Sequence, residues 1–210
     1  MRMKKIVKKH IKDEGGTAKL FSCRLGILVF LLLNILLIGI TSCTVRYYPQ
    51  PSDHITVIDG YAVMQVDGLS MAIMPRAWAR EPQRVNDYFT TYYMVVINQT
   101  SNTITVSPED ISLLDDERNQ YDALLYDDVA AVLMRDDFFL DRFSPTQDTY
   151  QTASDDRILG RAYLMQDSFH YGDILPNARK SGYLFFKKLS ARNQKNIVMY
   201  KDQEIIFARK

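Results

Sequence analysis

One stretch, Tyr88 to Thr100 (YFTTYYMVVINQT), with ten residues of strand-forming character, constrains the fold of this chain more than any other feature. Aromatic and β-branched side chains dominate the run, and they fall on both faces of a pleated strand instead of alternating with polar ones. A strand that reads this way is expected in the middle of a sheet, with packed material on each side.

The segments around it read as shorter strands joined by turn signals. In YAVMQVDGLSMAIM two apolar runs meet at Asp67-Gly68, a pair suited to the left-handed dihedrals of a type I′ hairpin, and Asp59-Gly60 marks a second tight turn just before it. NQTSN turns the chain into TITV, where Ile104 and Val106 face one way and the threonines the other. DISLL and YDALLY flank the polar turn DDERNQ, GYLFFKK follows the loop GDILPNARKSG, and NIVMYKD with QEIIFAR reads as a closing hairpin. Asp127 or Asp128 is placed to cap a helix carrying Val129, Val132 and Leu133 and continuing toward Phe138. SPTQDTYQTASDD reads as a surface loop, and residues 157–169 fit a helical stripe only in part. Strands that bracket a helix in this way predict a mainly β fold, an antiparallel β-sandwich with one or two short helices, over residues 55–210.

The first 42 residues are of another kind. They hold eight of the 26 Lys/Arg and two of the 25 Asp/Glu, so the remainder carries a balance of −5 against +1 for the whole chain. A basic segment followed by an apolar run, Leu25 to Ser42, has the layout of an export signal. As a helix those 18 residues would span roughly 27 Å, marginal for a bilayer core of about 30 Å, so length alone also allows an uncleaved inner-membrane anchor. Ile40-Thr41-Ser42-Cys43 resembles the lipobox of bacterial lipoproteins, with Ile40 where leucine is commoner and a long basic segment that also suits a start at Met3. The resemblance implies cleavage before Cys43 and acylation of its thiol, giving an attachment to the membrane through an N-terminal lipid. Three acyl chains would make that attachment firm, because each buried methylene contributes about 0.8 kcal/mol and one chain alone is marginal. Thr44 in place of Asp then implies the outer membrane, facing the periplasm, over the inner membrane.

The expected organisation is therefore a signal peptide at 1–42, a lipidated tether at 43–54, where Pro49 and Pro51 discourage helix, and the sandwich at 55–210. Cys23 would leave with the leader, so the mature chain holds no internal disulfide and must stand on its core.

YYMVVINQTSNTITVSPEDISLLDDERNQY, then a helix, then ILPNARKSGYLFFKK and a final hairpin resemble the telokin-like, immunoglobulin-type domains of unknown function carried by bacterial lipoproteins. Asn98, Asp110, Leu113, Tyr121, Pro176, Gly182, Leu184 and Phe186 carry the resemblance, with Asn177 where the family often has glycine. What it implies is an immunoglobulin-like sandwich; it brings no catalytic residues.

Motifs for chemistry are sparse. His54 and His170 have no partner at zinc-ligand spacing, and neither a nucleophile elbow, nor a dinucleotide fingerprint, nor a phosphate loop occurs, so no metal or cofactor is expected. Asp115-Asp116-Glu117 begins like an EF-hand loop, but Gln120 stands where glycine must turn the chain and Tyr126 where a bidentate glutamate must ligate. Asp127-Asp128, Asp136-Asp137 with Asp141, and Asp155-Asp156 complete a set of acidic clusters that read as solvated surface. The acidic body argues against nucleic acid as a partner. Trp78, flanked by Arg76, Arg80 and Arg84, is a candidate contact for another envelope protein, since Trp and Arg are enriched at interfaces; an edge tryptophan packed on the sandwich is the alternative. The expected role is a non-enzymatic, lipid-anchored binding or assembly module. The contrasting role is a cell-wall or glycan hydrolase using a pair of loop carboxylates.

Overall fold

The computed structural model describes residues 46–82, 84–136 and 158–210. The signal-peptide expectation for 1–42, the acylation at Cys43, the helix extension toward Phe138 and the loop at 144–156 lie outside the described residues.

Tyr47–Pro49 (β1), Thr56–Ile58 (β2), Tyr61–Val66 (β3) and Leu69–Pro75 (β4) open the fold. A short helix, Val85–Tyr88 (α1), leads into Phe89–Asn98 (β5), followed by Ile104–Val106 (β6), a 3-10 turn at Pro108–Asp110, Ile111–Leu114 (β7) and Gln120–Asp122 (β8). Helices at Tyr126–Asp136 (α2) and 158–167 (α3) precede Gly172–Ile174 (β9), Arg179–Lys187 (β10), Lys195–Tyr200 (β11) and Gln203–Arg209 (β12). One sheet runs β1-β12-β11-β7-β8 and a second β10-β5-β4-β3-β2, all antiparallel, with β6 and β9 as a separate pair. Among the described residues no helix is long and apolar enough to cross a membrane.

The two five-stranded sheets share one core. Met71, Ile73, Met94 and Phe186 from one sheet meet Ile111, Val198, Ile205 and Phe207 from the other. Tyr92 crosses between them: its ring lies 5.1 Å from Phe207 and 6.1 Å from Phe186, and its hydroxyl donates to Asn196 Oδ1 at 2.5 Å. Burial pushes that hydroxyl's pKa well up, and Asn196 only partly offsets it. A second apolar cluster lies on the outer face of the β10–β5 half of its sheet, where Phe89, Tyr183 and Phe185 are covered by Trp78, by Val129 and Ala130 of α2 and by Leu164 of α3.

β5 is thus the central strand that its composition demanded, paired with β10 and β4 and packed on both faces at its start. Its outer face emerges from cover toward Ile97, which is 36% exposed. Both glycine turns are two-residue hairpins with positive φ at each position, Asp67 at 51° with Gly68 at 78° and Asp59 at 50° with Gly60 at 82°. Asn177 adopts φ 58°, the left-handed geometry that asparagine tolerates in place of glycine.

Three readings need correction, and residues 158–167, which the sequence left open, are helical. The tether is not free beyond its first residues: Tyr47–Pro49 pairs with β12, and Ile55 is buried in the core. Pro49 takes an edge strand, the place where a missing N–H costs the ladder least. The strand read as YDALLY ends at Asp122, because Leu124 leaves β7 and donates instead to Phe185 of β10, while α2 starts at Tyr126. Among the described side chains of α2, Val129 and Ala130 are buried and Leu133 packs partly against the same cluster, while Val132 is turned out at 38% exposure; Asp127 and Asp128 sit in the first turn, facing the positive end of the helix dipole.

Candidate functional site

The segment from Arg76 to Arg84 leaves β4 and wraps the end of its own sheet. Its middle is pinned by Asn86, whose Oδ1 accepts from the Trp78 N–H at 2.9 Å and whose Nδ2 donates to the Trp78 carbonyl at 2.7 Å. That two-point clamp turns the indole inward, 5.0 Å from Tyr183 and 5.8 Å from Phe185. Trp78 is only 3% exposed, so its ring is a wall of the second cluster and does not itself meet a partner; its Nε1 is buried without a hydrogen-bond acceptor.

The arginines take the outward positions. Arg76 lies over Tyr93 at 5.0 Å and Tyr183 at 5.8 Å. Arg80 lies over Tyr163 at 5.0 Å and pairs through Nε with Asp167 at 3.1 Å, and Arg84 lies over Tyr88 at 5.4 Å. Stacking holds a planar guanidinium in place while leaving edge N–H groups to receive a carboxylate or phosphate in two-point fashion. Sequence reasoning found the three arginines around Trp78 but missed their seats: Tyr93, Tyr163, Asp167 and Tyr183 come from other strands and from α3, and no local signal marks them.

Asp136-Asp137 with Asp141 and Asp155-Asp156 lie, but for the backbone of Asp136, outside the described residues; the described acidic clusters serve the fold. Asp115 accepts from the backbone of Glu117 and Asn119, from Asn119 Nδ2 and from the Tyr121 hydroxyl, all within 3.0 Å. Partial desolvation raises its pKa, but those hydrogen bonds together outweigh it and hold the carboxyl below its ordinary value. Asp116 accepts from the Gln194 N–H at 3.0 Å, and Asp127 pairs with Arg161 at 3.2 Å. Among the described residues no three Asp, Glu, His or Cys side chains converge as a metal site would require.

Fold and face together define a mainly β protein, a two-sheet antiparallel sandwich with helices laid over one outer face and an arginine–tyrosine margin beside them. The sequence matches no protein-family profile and no curated protein. A solved structure that aligns with it is a functionally unknown protein from Listeria monocytogenes EGD-e, 11% identical over 81% of this chain and 86% of that one, with a TM-score of 0.33. A likeness of that size carries no argument about fold or role.

Proposed function

We propose that this chain is a lipid-anchored cell-envelope protein, cleaved before Cys43 and acylated there, whose sandwich is a telokin-like, immunoglobulin-type module that binds another envelope component. The observation that carries this reading is the passage from a basic, apolar leader through Ile40-Thr41-Ser42-Cys43 straight into a compact domain whose first strand begins at Tyr47. Thr44 after the cysteine favours the outer membrane, on its periplasmic side. Anchoring of this kind works by mass action, raising a partner's effective concentration in two dimensions without new contact energy. Arg76 and Arg80 are the contact residues of choice, with Trp78 acting behind them as the wall that seats their tyrosines.

Cells fed a clickable fatty acid are expected to label the wild-type protein and not Cys43→Ala. Equal labelling of the two would refute the anchor. For the binding role, a photo-crosslinking amino acid at exposed Ala79 should give one reproducible adduct in cells, lost when Arg76 and Arg80 are both replaced by glutamine. No adduct, or one indifferent to those arginines, would remove this margin as the contact surface.

A further inference from the structure

The register of β1 fixes which part of the sandwich stands nearest to Cys43. Four steps of extended chain, from Cys43 to Tyr47, reach at most about 14 Å. Tyr47 pairs with Arg209, Lys195 pairs with Ala208, and Lys187 pairs with Phe89, so β1, β12 and β11 share this end with the finish of β10. The 188–194 loop joins β10 to β11 across it, and Lys188 N–H donates to the Tyr88 carbonyl there. The Lys201–Asp67 pair, at 2.8 Å, closes the other end. At about 3.4 Å per residue, β12 separates the two by about 20 Å.

Charge is divided between these ends. Arg46, Lys187, Arg192, Lys195, Arg209 and Lys210 cluster at the end near Cys43, all exposed except the half-buried Arg209. Exposed Arg76, Arg80, Arg84, Arg118 and Lys188 add to the cations of this end, and the acids set against them are Asp59, Glu81, Asp87 and the Asp115 to Glu117 turn, whose bonds to N–H groups leave Asp115 and Asp116 charged. The far end holds Asp67, Glu109, Asp110 and Asp202 against Arg179, Lys180 and Lys201. An amphipathic element joins the basic set: Tyr48 is 37% exposed, with Lys210 Nζ 4.9 Å from its ring centroid. A ring beside a cation suits the boundary between headgroups and water.

We infer that this basic end of the sandwich docks on an anionic lipid surface, so that the domain lies against the bilayer instead of hanging free of it. The inference rests on the anchor at Cys43. A reach of about 14 Å brings these side chains within a Debye length or so of the headgroups, where each lysine or arginine gains from a negative surface potential. The far end, where four carboxylates face three cations, has no such attraction, and the difference between the two ends orients the domain.

The test uses the full protein extracted from cell membranes and returned to vesicles of phosphatidylethanolamine with phosphatidylglycerol. Lysines are labelled with an acylating reagent and read by peptide mass. Lys187, Lys195 and Lys210 should react about fivefold more slowly than in detergent, with Lys180 and Lys201 unchanged. Replacing exposed Arg192 and Lys195 by glutamine should restore most of the reactivity of Lys210. Equal labelling at both ends overturns the docking, and protection of the same size on phosphatidylcholine vesicles overturns its electrostatic basis. The N-terminal peptide of the same digest reads the anchor separately: a mass beginning at acylated Cys43 upholds it, and one beginning at methionine overturns it.

Discussion

Gly182→Ala is expected to destabilise the domain by about 3 kcal/mol, lowering its thermal midpoint by roughly 6 to 12 °C. Gly182 lies in β10 opposite Met94, and a Cβ added there would stand 2.5 Å from the backbone N of Phe169 and from the carbonyl carbon and oxygen of Ser168. Backbone atoms cannot rotate away as a side chain can. Relief requires lifting residues 168–169 off the edge of β10, which breaks the 2.9 Å bond from Phe169 N–H to the Tyr183 carbonyl and withdraws a 4%-exposed phenylalanine from the core. The position thus combines overpacking, a lost edge hydrogen bond and lost burial. Gly60→Ala is the natural comparison: its Cβ would meet nothing within 4 Å, but φ is +82°, so it should cost only the left-handed penalty of about 1 kcal/mol. Melting curves of the two variants by circular dichroism decide the matter. A loss at Gly182 no larger than at Gly60 would mean that the 168–169 segment does not hold the edge of β10.

The second large effect is expected at Asn98. Its side chain is fully buried and uses each of its four hydrogen-bonding positions: Nδ2 donates to the carbonyls of Asn102 at 2.7 Å and Ile174 at 2.9 Å, while Oδ1 accepts from the Thr100 N–H at 2.9 Å and hydroxyl at 2.8 Å. One amide thereby closes the 99–102 turn and ties the end of β5 to β9. Asn98→Ala strands the buried Ile174 carbonyl away from water and leaves the Thr100 and Asn102 groups only partly solvated, and a cost of about 2 to 4 kcal/mol follows, since an orphaned buried group loses about 1 to 3 kcal/mol.

Asn98→Asp distinguishes hydrogen bonding from packing, because the shape is kept while the Nδ2 donor becomes an oxygen facing two carbonyls. At neutral pH it should be at least as damaging as alanine. The introduced carboxyl would have its pKa raised by burial and by those carbonyls, so the folded form binds the proton more tightly than the unfolded one. Stability should therefore recover as pH falls through the raised pKa, where the protonated group can donate again. Chemical denaturation of the three proteins between mildly acidic and neutral pH measures this; a pH-independent Asp variant would show that the amide's two donors contribute nothing.

Both residues were visible beforehand as part of a pattern, but their physical work was not. Asn98 stood at the end of the central strand, in an Asn-x-Thr arrangement, and Gly182 at the head of a Gly-x-Leu-x-Phe strand. The partners that make them costly to replace, Ile174 for the first and Ser168 and Phe169 for the second, lie 76 residues away in one case and on the free edge of a strand in the other. Trp78 shows the same division. Its neighbourhood of arginines is local and was legible; its inward orientation follows from Asn86 and from rings on β10, which the chain supplies about a hundred residues later.

By itself the sequence determined what short-range physics controls: the two aspartate-glycine hairpins, the left-handed Asn177, the strand periods, the all-antiparallel character, and the contrast between a basic apolar leader and an acidic body. Turn dihedrals and pleat alternation depend on a few neighbouring residues, so they survive being read in isolation. Tertiary structure alone decided that Tyr47–Pro49 is a strand instead of a tether, that Leu124 crosses from β7 to β10, that α2 buries Val129 and Ala130 in place of Val132, and that the cations collect at one end. Those outcomes depend on which distant surfaces bury one another. A short edge strand such as β1 has too little local preference of its own, and it forms because β12 offers it a ladder.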